Sequence, residues 1–437
     1  MSVVADRDAL TGVRASDAWG SGFSLLPPPS TLWRVVEQRI PFVKVQLDEN
    51  DISAVEGVLR SGWLTTASQV KALEEELCAY TGAKFVNAVN SATAAMHLCL
   101  AAWDLGPGDE VITTPYTFVA SSSCILNSLA LPVFVDVEPL SYNLNPNLVE
   151  QAITGRTRAI LPVHFGGNIA DMTRLEDIAR RHNLFIIEDS AQAQGASLTG
   201  DRWAGTLGDI GIFSLQQSKV LTCGEGGILT TNDPELASLA WSLRHYGRTE
   251  TGLWYQHFRL GWHYRMTELQ GALLLSQLQK LPEQNARRQR NAFALFDALK
   301  DLPGVEPCCQ NPETDRPVLY LVILRYDAGQ WDGLPREKLL SAMQAEGIPC
   351  VGGYSFPLYE NPMFGTIDFN GKFSPYRVGR SEEIDFSRYR GSCPVAEKAC
   401  REEAIWLTHN MFLGTKEDAL DIARAFEKVF ENRAEAR

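Results

Sequence analysis

The sequence predicts an α/β architecture, with a mostly parallel sheet between helices and a smaller α/β domain at the C-terminal end. Three observations predict it. From Phe85 onward, β-branched apolar runs of four to six residues alternate with helical stretches, the pattern of strand–helix–strand units. A helical stretch from Thr267 to about Leu299, broken near Pro282, closes that series. After it, a fresh strand at Val318–Leu324 and helices near Arg336–Glu346 and Lys416–Glu431 begin a second unit. The division expected is an extended segment over 1–40, a larger domain over 41–290 and a smaller one over 291–437.

The elements follow in order. Gly20, Gly22 and the run Pro27-Pro28-Pro29 favour an extended lead-in. Strand Phe85–Val89 then feeds helix Ala92–Ala102, strand Glu110–Thr113 feeds helix Val119–Leu129, and strand Pro132–Asp136 feeds helix Asn147–Ile153. Strand Ala159–Val163 leads to helix Thr173–Arg181, strand Leu184–Glu188 ends in an acidic dipeptide, and apolar runs follow at Ile210–Ser214 and Gly227–Thr231. No repeat of fixed period and no low-complexity tract interrupts them.

Composition narrows the function. The chain has 437 residues, 45% hydrophobic and 21% charged, with a formal net charge of -13. That acidity argues against nucleic acid and anionic membrane surfaces as partners, because those need clustered positive charge. The nine cysteines are scattered without a CxxC pair or a zinc-like Cys/His spacing, so they read as reduced thiols and no metal is expected. No segment approaches the roughly 18 apolar residues of a membrane span, and a cytoplasmic location is expected. Neither GxGxxG after the first strand nor GxxxxGK[ST] occurs, which removes the dinucleotide and P-loop readings.

In open α/β sheets, ligands sit beyond the carboxyl ends of the strands, so the residues after each strand are the candidates. At Asn90-Ser91-Ala92-Thr93-Ala94-Ala95, small residues open a helix whose free amides suit an anion; equally, Ser91 or Thr93 caps an ordinary helix. At Glu188-Asp189-Ser190-Ala191-Gln192, a carboxylate at the end of an apolar strand needs a partner: a protonated pyridine nitrogen, a turn or an arginine. Glu188 points the other way by strand alternation. Ser214-Leu215-Gln216-Gln217-Ser218-Lys219, followed by Gly224-Glu225-Gly226-Gly227, presents one lysine that is either solvated or a Schiff-base former. In Pro115-Tyr116-Thr117-Phe118, an aromatic ring either stacks on a planar cofactor or joins the core. His97, His164, His245 and His409 lack matching partners and read as structural, though His164 ends a strand on the candidate edge. Tyr354 and Tyr359 are candidates for substrate contact from the smaller domain, or for packing.

Together, these motifs in this order resemble the DegT/DnrJ/StrS family of sugar aminotransferases, which are fold-type I pyridoxal-phosphate enzymes. The resemblance spans roughly residues 40 to 430 and adds Gly62-Trp63-Leu64-Thr65-Thr66 and Leu105-Gly106-Pro107-Gly108-Asp109-Glu110-Val111 to the segments above. It implies pyridoxal 5'-phosphate as cofactor, with pyridoxamine 5'-phosphate as its intermediate form, bound in the 41–290 domain. Position by position, it implies that Lys219 carries the cofactor as a Schiff base, Asp189 pairs with the pyridinium nitrogen, and Gln192 approaches the phenolic oxygen. Phe118 stacks on the ring, and Ala92, Thr93 and Ser214 hold the phosphate. Family members add an asparagine from the partner subunit of a homodimer; here that position is His263, in Gly261-Trp262-His263-Tyr264-Arg265-Met266. Arg265 is placed to meet an amino donor's carboxylate. His164 and Tyr354 join Arg265 as substrate candidates. Relatives often carry tyrosine and glutamine where this chain has Gly166 and Asn168, and proline where it has Thr408. Short strings at Ser214–Lys219 and Cys393-Pro394-Val395-Ala396-Glu397 look nearest the branch that aminates keto-cyclitols with glutamine. The partners implied are therefore a small-molecule amino donor and a keto sugar or keto cyclitol. A pyridoxamine-dependent sugar dehydratase and a non-catalytic cofactor-binding regulator are the rival readings; Lys219 argues against the first.

Overall fold

The computed structural model describes residues 44–436, so the segment expected at 1–40 lies outside the described residues. Its centre is a seven-stranded sheet. The strands are β1 (Phe85–Val89), β2 (Glu110–Thr113), β3 (Leu131–Phe134), β4 (Thr157–Leu161) and β5 (Phe185–Asp189). Two short strands, β6 (Ser197–Leu198) and β7 (Arg202–Trp203), precede β8 (Ile210–Ser214) and β9 (Gly227–Thr231). The spatial order is β1-β9-β8-β5-β4-β2-β3, and β9 alone runs against the other six.

Alternating side chains of each strand enter separate cores. Ile186 and Phe213 pack with Leu73 and Leu77 of helix Ser68–Thr81, Leu175 and Ile178 of helix Met172–His182, and Leu274 and Leu278. Ile187 and Ile212 pack with Met96 and Leu98 of helix Ala92–Ala102, Ile125 of helix Ala120–Asn127, and Leu243 of helix Pro234–Arg244. Both faces of the sheet are thus covered, as a parallel sheet requires.

Several boundaries differ from the expectation. Strand β5 continues through Asp189, which pairs with Ile212 of β8. The stretch expected as helix Asn147–Ile153 is a single α-turn, Pro146–Val149, followed by a 3₁₀ turn, Glu150–Ala152. Helix Glu268–Leu299 runs unbroken through Pro282. It is anchored before the proline by Leu278 and Leu281 and after it by Ala292, Leu295 and Leu299, so burial along its length outweighs the roughly 3 kcal/mol cost of an internal proline. The expected boundary at 290/291 falls inside this continuous helix.

Two helices that periodicity did not reveal, Glu49–Ser61 and Ser68–Thr81, are marked by local chemistry. Asp48 and Asp51 form a capping box at the first, and Gly62 and Gly82 end the two in left-handed conformations. The second lacks an acceptor at its own N-cap, Ala67. Glu268, buried at the start of the long helix, supplies one across the fold: its carboxylate accepts from the amides of Ala67 (2.7 Å), Gln69 (2.8 Å) and Val70 (3.0 Å). Glu268→Ala is expected to cost about 2–3 kcal/mol, read as a lower thermal or urea midpoint, because buried donors lose a charged acceptor.

Beyond the long helix, β10 (Val305–Pro307), β12 (Leu321–Tyr326) and β13 (Ala404–Thr408) form an antiparallel sheet in the order β10-β12-β13. Helices Arg336–Ala345 and Lys416–Glu431 pack on it through Leu339, Met343, Ile422 and Phe426. Strand β12 starts three residues later than expected, since Val318 belongs to the first core and packs on the loop at Gly167. Strand β11 (Thr314–Arg316) pairs with β6, stitching the C-terminal part to the larger sheet. Among the described residues, no helix is long and apolar enough to cross a membrane, no group of His, Cys, Asp and Glu has the arrangement of a metal site, and all nine cysteines are unpaired.

Candidate active site

Strand register alone gathers the candidate residues on one edge. Val89, the last residue of β1, pairs with Gly227, and Gly227 pairs in turn with Ser214 at the end of β8. Asp189 ends β5 opposite Ile212, two residues before Ser214. The start of helix Ala92–Ala102, the end of β8 and the end of β5 therefore line a single rim. Gly227 has no substitute here: a Cβ would lie 2.3 Å from the Ser91 carbonyl carbon, so the strand passes directly beneath the Ser91–Ala92 turn. Ser91 caps the helix by accepting from the Ala94 amide at 3.1 Å, and Thr93 is exposed; the amides of Ala92 and Thr93, at the head of the helix, have no carbonyl of the helix to bond.

Asp189 is buried. Its Oδ2 accepts from the Ser121 hydroxyl at 2.8 Å and its Oδ1 from the Ala191 amide at 3.2 Å. Burial pushes its carboxyl above the usual carboxylate range despite those two hydrogen bonds and the nearby Lys219. A carboxylate in that condition is short of a cation. Glu188 faces the opposite side of the sheet, where the amides of Gly205 (2.8 Å), Leu207 (2.6 Å) and Gly208 (2.6 Å) donate to it.

The lysine loop is pinned at its base by backbone bonds Leu215 N to Gly226 O (2.9 Å) and Gln217 N to Gly224 O (2.8 Å). Lys219 is half-buried, and its Nζ lies 4.4 Å from the centre of the Tyr320 ring. Gln192 is buried, with its Oε1 accepting from the Gly166 amide at 2.7 Å. Tyr354 stands edge-on to Trp406 at 4.8 Å and to Tyr116 at 5.6 Å, and its hydroxyl is raised by burial, with Asp189 and Tyr320 adding to the shift. The ring of Phe118 is 60% exposed at the head of helix Ala120–Asn127, a large apolar face with nothing yet stacked on it.

One expectation needs correction and one group stands apart. His164 does not face this rim. Its imidazole is fully buried, Nε2 is 2.9 Å from Glu188 and Nδ1 accepts from the Ala170 amide at 3.2 Å, so both nitrogens are used on the structural side of β5. Tyr116 takes the core alternative left open for its segment, packed against Tyr142 and Phe165. His263 is exposed, 3.0 Å from Arg265, and both lie on the ring of Tyr246. Arg265 makes an isolated antiparallel bridge to Val89, two residues before the Ser91–Ala92 turn, and His263 makes one to His245. Three residues that sequence reasoning missed belong to the site: Ser121, Tyr320 and His409. Ser121 follows Thr117 by one helical turn, and that spacing is the only signal the sequence offered.

This combination of a buried, cation-deficient aspartate, a lysine and a helix N-terminus on one sheet edge accompanies a match of residues 45–374 to the DegT/DnrJ/EryC1/StrS aminotransferase family. The chain belongs to that family. It is 37% identical over 362 residues to a putative L-glutamine:3-amino-2,3-dideoxy-scyllo-inosose aminotransferase of Micromonospora echinospora, covering 82% of this chain and 85% of that protein. It is 36% identical over 412 residues to the L-glutamine:scyllo-inosose aminotransferase of Streptomyces griseus, covering 89% and 93%. Among solved structures, DesV of S. venezuelae in complex with a ketimine intermediate aligns with a TM-score of 0.78 at 34% identity, over 90% of this chain and 99% of that one. The PMP form of a putative sugar aminotransferase from Streptococcus pneumoniae aligns with a TM-score of 0.78 at 27% identity, over 90% and 98%.

The residues of this aminotransferase fit the family's cofactor. A pyridinium would supply the cation that Asp189 lacks, the bare face of Phe118 suits a planar ring, and the helix N-terminus at Ala92 and Thr93 suits a phosphate.

Proposed function

We propose that this enzyme transfers an amino group from L-glutamine or L-glutamate to a keto cyclitol or keto sugar, in amino-sugar or secondary-metabolite biosynthesis, using pyridoxal 5'-phosphate. The observation that carries the reading is the buried Asp189 carboxylate at the end of β5, which has hydrogen bonds from Ser121 and Ala191 but no ion pair among the described residues, on the same rim as the Lys219 loop that follows β8. When bound, the cofactor supplies an electron sink for the carbon that loses its proton.

The protein's own groups divide the remaining work. Lys219 is the group that moves a proton between the two carbons exchanging it. Asp189, fixed by Ser121 and Ala191, holds a positive charge at the ring nitrogen, and Gln192, fixed by Gly166, presents its amide toward the ring oxygen. Ala92, Thr93 and Ser214 anchor the phosphate. Tyr354 and Trp406 form the wall on the side of the smaller sheet, where a polyhydroxylated ring meets both aromatic faces and polar tips.

A homodimer completes the site in this reading. Leu253, Trp254, Tyr255, Phe258 and Leu260 form an exposed apolar run beside His263, and burying such a run against a second copy accounts for it. His263 and Arg265 then serve the partner's site, His263 as a donor toward phosphate and Arg265 toward a carboxylate. Glutamine as donor is supported by the names of the relatives.

The test is the absorbance spectrum of the purified protein with pyridoxal phosphate, before and after L-glutamine or L-glutamate. One donor is expected to convert the visible band to the pyridoxamine form. Binding of cofactor with no conversion by either donor would overturn transamination and favour the dehydratase or regulatory reading.

A further inference from the structure

The Lys219 amine has a built seat. Its Nζ rests 4.4 Å from the centre of the Tyr320 ring, and a ring face attracts an ammonium electrostatically. Tyr320 is itself fixed from two directions. Its hydroxyl is 3.1 Å from the Ser218 hydroxyl, one residue before the lysine, and its ring stacks on His409 with centroids 5.8 Å apart and planes 29° from parallel.

His409 is buried at the end of β13 and is tied to the same loop. Its Nε2 lies 2.9 Å from the Ser218 carbonyl oxygen, which only accepts, so Nε2 carries the proton and donates. Its backbone amide donates to the Tyr320 carbonyl at 3.1 Å. Burial and the nearby Arg288 guanidinium push the imidazole well below its usual range, so the ring behind Tyr320 is neutral and does not compete with the lysine for the aromatic face. Ser218, Tyr320 and His409 thus bond to one another and enclose the lysine from the C-terminal side of the molecule.

We propose that Tyr320, braced by Ser218 and His409, is a positioning residue that seats the Lys219 amine whenever that amine is not covalently engaged. The seat keeps the amine over the rim, ready to take up and deliver protons, instead of letting it extend to solvent. This deepens the reading above by assigning the control of its lysine. The test uses cofactor-free protein and no substrate, so its failure is distinct from failure of the aminotransferase reading.

The experiment is timed acylation of the cofactor-free protein with an N-hydroxysuccinimide acetate, with Lys219 labelling followed by peptide mass spectrometry. Exposed Lys338 serves as the internal reference. In Tyr320→Leu, Lys219 is expected to label about three- to tenfold faster relative to Lys338, in proportion to the lost ring attraction. Tyr320→Phe keeps the ring and is expected to stay within about twofold of wild type. His409→Leu is expected to accelerate labelling, and His409→Gln, which retains a donor for the Ser218 carbonyl, to restore most of the protection. A Tyr320→Leu rate equal to wild type, or a Tyr320→Phe rate equal to that of Tyr320→Leu, overturns the proposal. If Tyr320→Leu does not fold, the two His409 variants decide: equal rates overturn it and Gln-specific rescue supports it.

Discussion

Lys219→Ala is expected to lower kcat by about 10³-fold or more while leaving the fold intact. Proton transfer by a positioned side chain contributes about 10²- to 10⁴-fold, and in the proposed mechanism Lys219 also forms the covalent tether, so both contributions would vanish together. Lys219 is half-buried and its amine makes no ion pair among the described residues, so the unfolding midpoint should correspond to a loss of about 1 kcal/mol, that of its contact with the Tyr320 ring. Stopped-flow absorbance with a donor separates the two losses. The variant should lack the band of a lysine-tethered cofactor, and a small primary amine added to the buffer should restore part of the proton transfer. A variant that retains wild-type donor kinetics would remove Lys219 from the mechanism.

Asp189→Asn is expected to fall by about 10²- to 10⁴-fold in kcat/KM, because losing one member of a buried charge pair costs about 3–5 kcal/mol. Its effect on the ligand-free protein has the opposite sign. In wild type the folded-state pKa of Asp189 is raised above 3.8, so the charged carboxylate is a cost to folding that is absent at low pH and grows as pH rises through the raised value. The asparagine variant escapes that cost and should be equally or more stable at neutral pH by thermal unfolding. Cofactor affinity runs the other way with pH: a cationic ring needs the carboxylate, so wild-type binding should strengthen as pH rises through the same window, and Asp189→Asn should flatten that dependence. Equal pH profiles in the two proteins would remove Asp189 as the ring's partner.

Much of the sheet was legible because strands buried on both faces are short, continuous apolar runs, and β1, β2, β8 and β9 fall where those runs predict them. Helix Glu49–Ser61 was missed because it buries only Asp51 and Val58, so its signals lie in its capping box and terminal glycine; Ser68–Thr81 was missed because its cap comes from Glu268, far along the chain. The helix through Pro282 was misjudged because a local rule about proline was overridden by packing at both of its ends.

The sequence by itself determined which chemistry the rim would hold. A lysine, an aspartate and a small-residue helix start each follow an apolar strand, and strand ends in such sheets converge by geometry alone. What only tertiary structure decided is which way the neighbours of those residues turn. His164 follows strand β4 on the correct edge, yet its imidazole is spent on Glu188 beneath the sheet, while Tyr320 and His409, about 100 and 190 residues from Lys219 along the chain, meet the amine and the loop that carries it. Side-chain direction at a strand end depends on which buried polar group must be satisfied, and that partner is set by elements far away in sequence.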